Sequence, residues 1–62
     1  MVEKIYFVDV NAENLFEMLD LLVEKIPCFL ETEFIEMNMM KVIINARVQD
    51  LRTVENFLAP FV

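Results

Sequence analysis

Few side chains in this sequence have the types and spacing to do chemistry, and they cluster in its middle. Cys28 carries the only thiol, between Pro27 and the apolar pair Phe29 and Leu30. With no cationic neighbour to favour the thiolate, it reads as a small buried hydrophobe, not a nucleophile. Glu31, Glu33 and Glu36 follow within eight residues. In an extended chain Glu31 and Glu33 share a face and Glu36 points oppositely, so their oxygens do not converge on a hard cation. Met37, Met39 and Met40 have the soft sulfur that copper(I) takes. Three methionines at a hairpin tip fit a flexible contact surface or a core plug better. Tyr6 is expected to be a sheet residue with its hydroxyl at the rim.

The absences bear on reaction class. The chain contains no histidine, serine, tryptophan or glycine, which removes most general-base and nucleophile arrangements. Phosphate-cradling loops need backbone positions that glycine supplies. A catalytic role, a cofactor and a metal are therefore not expected. With one cysteine and no histidine, neither an intrachain disulfide nor a zinc site can reinforce the fold.

Such reinforcement would matter in a chain of 62 residues. A domain of about 60 residues buries only about 60% of the surface its unfolded chain exposes. Hydrophobic residues make up 58%, against roughly 45–50% in ordinary soluble domains. That excess implies a second apolar surface beyond the core, and association is the economical way to cover it. Eleven acidic and five basic residues leave a net charge of −6, which repels nucleic-acid phosphates and anionic membranes. No apolar run reaches the roughly 18 residues of a membrane span, and M-V-E-K-I-Y lacks a signal peptide's pattern. A lone thiol without an export signal fits a cytoplasmic location.

The elements that would position these residues follow from periodicity. Lys4 to Val10, K-I-Y-F-V-D-V, is β-branched and aromatic and predicts a strand. Tyr6, Val8 and Val10 lie on one face, Ile5 and Phe7 on the other. Asn11 is a candidate N-cap for a helix running to about Ile26, where Pro27 stops it. Ala12, Leu15, Phe16, Met18, Leu19, Leu22, Val23 and Ile26 share its apolar face, and Leu21 stands alone among polar positions. Cys28 to Val48 predicts a β-hairpin turning near Asn38. Matching like faces pairs Phe34 with Ile44 and Glu31 with Arg47, placing the loop at Met39 and Asn38 in a left-handed conformation. Glu36 then falls on the core face, so it must lie at the sheet's end or a bulge. Asp50 caps a second helix with Leu51, Val54, Phe57, Leu58 and Phe61 inward, and Pro60 ends its regular part.

The order strand–helix–strand–strand–helix over residues 1–62 predicts one α+β domain, a two-layer sandwich with both helices on one face of a three-stranded sheet. It resembles the ferredoxin-like (split βαβ) fold with its last strand missing. The missing strand would leave the first strand's edge open, with I-Y-F-V exposed, whereas Glu31, Glu33 and Glu36 guard the opposite edge. Ile5, Phe7, Ile35 and Ile43 would form an apolar strip on the helix-free face. The candidate interface is thus Ile5, Tyr6, Phe7, Val8, Ile35 and Ile43, with Leu21 on the helix. The expected function is a small acidic homodimeric assembly module that binds protein, joining edge to edge or face to face. The alternatives are a ligand-sensing ferredoxin-like dimer and an acidic inhibitor from a phage or mobile element. The inhibitor would use Glu13, Glu17, Asp20 and Glu24 as a row of carboxylates.

Overall fold

The computed structural model describes residues 1–62. Strand β1 (Val2–Asp9) is followed by helix α1 (Leu15–Lys25), strands β2 (Cys28–Phe34) and β3 (Met39–Ala46), and helix α2 (Leu51–Leu58). Short 3-10 turns at Val48–Asp50 and Ala59–Phe61 flank α2. The fold is a small α+β arrangement: a three-stranded antiparallel sheet in the order β1-β3-β2, with two helices.

Strand parity builds the core. Met40, Val42, Ile44 and Ala46, alternate residues of β3, are fully buried. They join Val8 of β1, Leu15, Leu19 and Leu22 of α1 with Ile26 just beyond it, and Val54 and Leu58 of α2 in a single cluster with no buried polar side chain. Each fully buried aliphatic side chain contributes about 1.5–3 kcal/mol. Both helices thus cover one face of the sheet, and the opposite face, carried by the odd-numbered residues of each strand, has no helix over it.

The hairpin turns elsewhere than its pattern predicts. Phe34 pairs with Met40, not Ile44, Leu30 pairs with Ile44, and Glu31 faces Ile43, not Arg47. The shift is four residues. Because side chains alternate with a period of two, an even shift keeps every residue on its expected face. The turn closes where the Ile35 amide donates to the Met39 carbonyl (3.0 Å), and Glu36 sits in it, exposed. Arg47 leaves the sheet and its Nε donates to Asp50 Oδ2 at 2.7 Å. Asp50 precedes α2, but its carboxylate serves Arg47 instead of capping the helix.

The start of α1 also differs. Asn11 is not its N-cap. The Asp9 carboxylate accepts from the Asn11 amide (2.9 Å), the Ala12 amide donates to the Asp9 carbonyl (3.1 Å), and this turn delays the helix to Leu15. Asn14 stands at the N-cap with φ 67 and ψ 12, the one positive φ in the chain, so the left-handed residue is Asn14 and not Asn38. Asparagine tolerates that conformation better than most residues. Asn38 instead accepts, through Oδ1, a 2.7 Å bond from Asn11 Nδ2, tying the β1–α1 connection to the hairpin turn. Phe16 and Val23, expected on the apolar face of α1, are exposed, as is Phe34 at the end of β2.

Candidate functional site

The unpaired edge of β1 and the helix-free face are one surface, and backbone geometry shows why. The Val10 amide donates to the Asn38 carbonyl across the β1–β3 ladder (3.0 Å). In an antiparallel pair, alternate residues turn both N–H and C=O to the neighbouring strand. Even-numbered residues of β1 therefore bond to β3, and Glu3, Ile5, Phe7 and Asp9 direct theirs outward along the free edge. The side chains of these same four residues project from the helix-free face. There Ile5 is 47% exposed and Phe7 50% exposed.

The registers of the two ladders set the rows across that face. Ile5 lies beside Ile43, which lies beside Glu31; Phe7 lies beside Lys41, which lies beside Glu33; Glu3, Asn45 and Phe29 form a third row. Lys41 Nζ sits 3.9 Å from Glu33 Oε2, an exposed pair worth a fraction of a kcal/mol. Ile35 continues the face beyond β2 and is half exposed.

The candidate interface residues divide accordingly. Ile5, Phe7, Ile35 and Ile43 share the open face. Tyr6 and Val8 turn toward the helices, Val8 is 2% exposed within the core, and the backbone groups of both face β3. Leu21 is partly exposed on α1, on the other layer. Phe29, 70% exposed, joins them on the open face. The alternation that puts Glu31 and Glu33 on that face puts Phe29 there too.

The groups with chemical potential stay apart. No set of three His, Cys, Asp or Glu side chains gathers as metal ligands, and no pocket indents the surface. Met40 is fully buried, whereas Met37 and Met39 are exposed, so the three sulfurs do not share one environment. Burial, with the Asp50 carboxylate nearby, pushes the Cys28 thiol above its ordinary pKa, which disfavours the thiolate. Burial, with Glu55 of α2 nearby, raises Tyr6 in the same way. Its hydroxyl is not at a wet rim: it is buried and has no hydrogen-bond partner. Glu13, Glu17, Asp20 and Glu24 are exposed along α1, outside both of the molecule's ion pairs.

An unpartnered buried hydroxyl costs about 1 kcal/mol or more. Tyr6→Phe is therefore expected to leave chemical-denaturation stability at pH 7 unchanged or higher by up to about 1 kcal/mol; a clear loss would mean that the hydroxyl has a partner. A pKa raised on folding contributes stability that is complete below the unfolded value and is lost as pH rises through the folded one. The melting temperature should thus fall above about pH 9, and Tyr6→Phe should flatten part of that fall.

The chain matches no family model, no curated protein and no solved structure.

Proposed function

We propose that this protein is a non-catalytic, homodimeric assembly module of the cytoplasm, in which two copies join antiparallel through the free edge of β1 and the joined sheet binds another protein. The observation that carries this reading is the coincidence of free backbone groups and exposed apolar side chains at Ile5 and Phe7. Exposed, hydrophobic edge strands template pairing with another chain, and proteins that avoid pairing put charge there. The β2 edge has that charge in Glu31 and Glu33. The middle of β1 has none. The strand order β1-β3-β2 supports a ferredoxin-like arrangement, in which a further strand lies beside β1.

Charge favours the edge over the face as the dimer contact. Each open face carries Glu3, Asp9, Glu31 and Glu33 against Lys41 alone. Stacking two such faces would bury like charges against one another, at a cost of several kcal/mol. Edge pairing leaves them in water.

The test is the mass of the purified protein by sedimentation, wild type against Ile5→Lys, a change at an exposed position. The expected result is a dimer for the wild type and a folded monomer for the variant, whose ammonium groups would meet across the paired edges. An unchanged dimer mass for Ile5→Lys would reject the β1 interface, and a wild-type monomer would reject the dimer itself.

A further inference from the structure

We propose that the open face of the paired sheet docks a short apolar helix of another protein whose two ends carry lysine or arginine. The inference rests on the β1-edge dimer above and adds its register and the chemistry of its partner. Free backbone groups at odd positions require odd residues to pair with odd residues across the two-fold axis. Placing the axis at Tyr6 would set Glu3 directly opposite the partner's Asp9, twice, and placing it at Lys4 would set two lysines face to face. Like charges directly opposite are destabilising. An axis at Phe7 shortens the overlap. An axis at Ile5 pairs Val2 through Val8, sets Val2 opposite the partner's Val8, Glu3 opposite the partner's Phe7 and Lys4 opposite the partner's Tyr6, and brings no like charges together.

That register builds a surface neither copy has alone. Ile5 and Ile43 are neighbours across β1 and β3, so the central row becomes Ile43, Ile5, the partner's Ile5 and the partner's Ile43. Phe7 of each copy flanks the row, one on either side. Glu31, the neighbour of Ile43 on β2, closes the row at both ends. At a strand spacing of about 4.8 Å, the four isoleucines span roughly 14 Å, and the terminal glutamates stand roughly 24 Å apart. A helix rises about 1.5 Å per residue, so roughly 10 residues cover the isoleucines and roughly 16 reach both glutamates.

The acidic surround selects the occupant. Glu3, Asp9, Glu31 and Glu33 outnumber Lys41 on each half, which disfavours nucleic acid, an anionic membrane and another copy of this face. It favours an apolar stripe ending in cations, laid across the strands in the manner of a helix on a groove.

The experiment titrates the isotopically labelled dimer with two 16-residue helical peptides sharing a leucine stripe, one with two lysines at each end and one with two glutamates. Amide chemical shifts report where they bind, and sedimentation of the same samples reports mass. The lysine-ended peptide is expected to shift the amides of Ile5 and Ile43 and to bind at least about tenfold tighter than the glutamate-ended one. Ile43→Lys should abolish the shifts, and Glu31→Lys, an exposed reversal that leaves the core untouched, should weaken binding with the dimer mass unchanged. Equal binding of both peptides, binding away from Ile5 and Ile43, or no binding to an intact dimer would each overturn the proposal while leaving the edge dimer standing. A monomeric mass would overturn both, since the four-isoleucine row needs two copies.

Discussion

Leu22→Ala is expected to bring this protein to the edge of unfolding. Leu22 has no exposed surface and sits in the core formed by α1, α2 and the even-numbered residues of β3. Truncating a buried leucine to alanine costs about 2–5 kcal/mol, the transfer term plus the cavity. Domains are held by about 0.05–0.15 kcal/mol per residue, or roughly 3–9 kcal/mol for a chain of this size. The loss is therefore comparable to the whole. No disulfide limits the unfolded chain, since Cys28 is the single cysteine. Urea titration followed by circular dichroism should show the midpoint falling by half or more, or no folded baseline at all. Leu21→Ala, one position away and partly exposed, should cost less than about 0.5 kcal/mol. Both titrations belong at one protein concentration, because a dimer's midpoint moves with concentration. Equal midpoints for the two variants would contradict the core assignment.

The difference between Leu21 and Leu22 was legible from the helical wheel, as was most of what depends on period alone. Alternation assigned the residues within β2 and β3 to their correct faces, whereas Glu36, Arg47 and Val48 lie outside both strands. It could not fix the register, because like faces match equally well after any even shift. Choosing among the even shifts needed the third strand. Just past β1, the Val10 amide meets the Asn38 carbonyl, β3 begins at Met39, and the turn lies back at Glu36. The favourable Glu31–Arg47 pair, worth a fraction of a kcal/mol, is not made, and Arg47 bonds Asp50 instead.

The start of α1 was hidden for a similar reason. Asn11 and Asn14 are both good residues for a helix start, and the choice turned on the Asp9 carboxylate, which organises a turn before the helix begins. On the open face, the alternation that places Glu31 outward also places Phe29 there, beside the aliphatic strip. The exposed Phe16 and Val23 show the limit of a wheel: a broad apolar face predicts which residues can be buried. A small three-stranded sheet with two helices does not cover all of them.

The parity of β1 leads to a second large effect, which separates the edge from the fold within one strand. Proline removes a backbone donor, and within a sheet it is tolerated where that donor faces away from the ladder. The Ile5 amide faces outward and the Lys4 amide faces β3, by the same alternation that sends the Val10 amide to Asn38. Ile5→Pro is therefore expected to give a folded protein, with the wild-type circular dichroism spectrum, that sediments as a monomer. Lys4→Pro, its immediate neighbour, loses a bond in the β1–β3 ladder and should cost about 3 kcal/mol or more. That is enough to unfold much of a domain this size. The contrast is robust to general intolerance of proline, because both positions lie inside the same strand and neither belongs to the buried core. If Ile5→Pro remains dimeric, the edge is not the contact. If the two variants unfold alike, the outward orientation of Glu3, Ile5, Phe7 and Asp9 is wrong, and with it the antiparallel register that places Ile5 on the axis. A folded monomer beside an unfolded neighbour would locate the association surface at the free edge of β1.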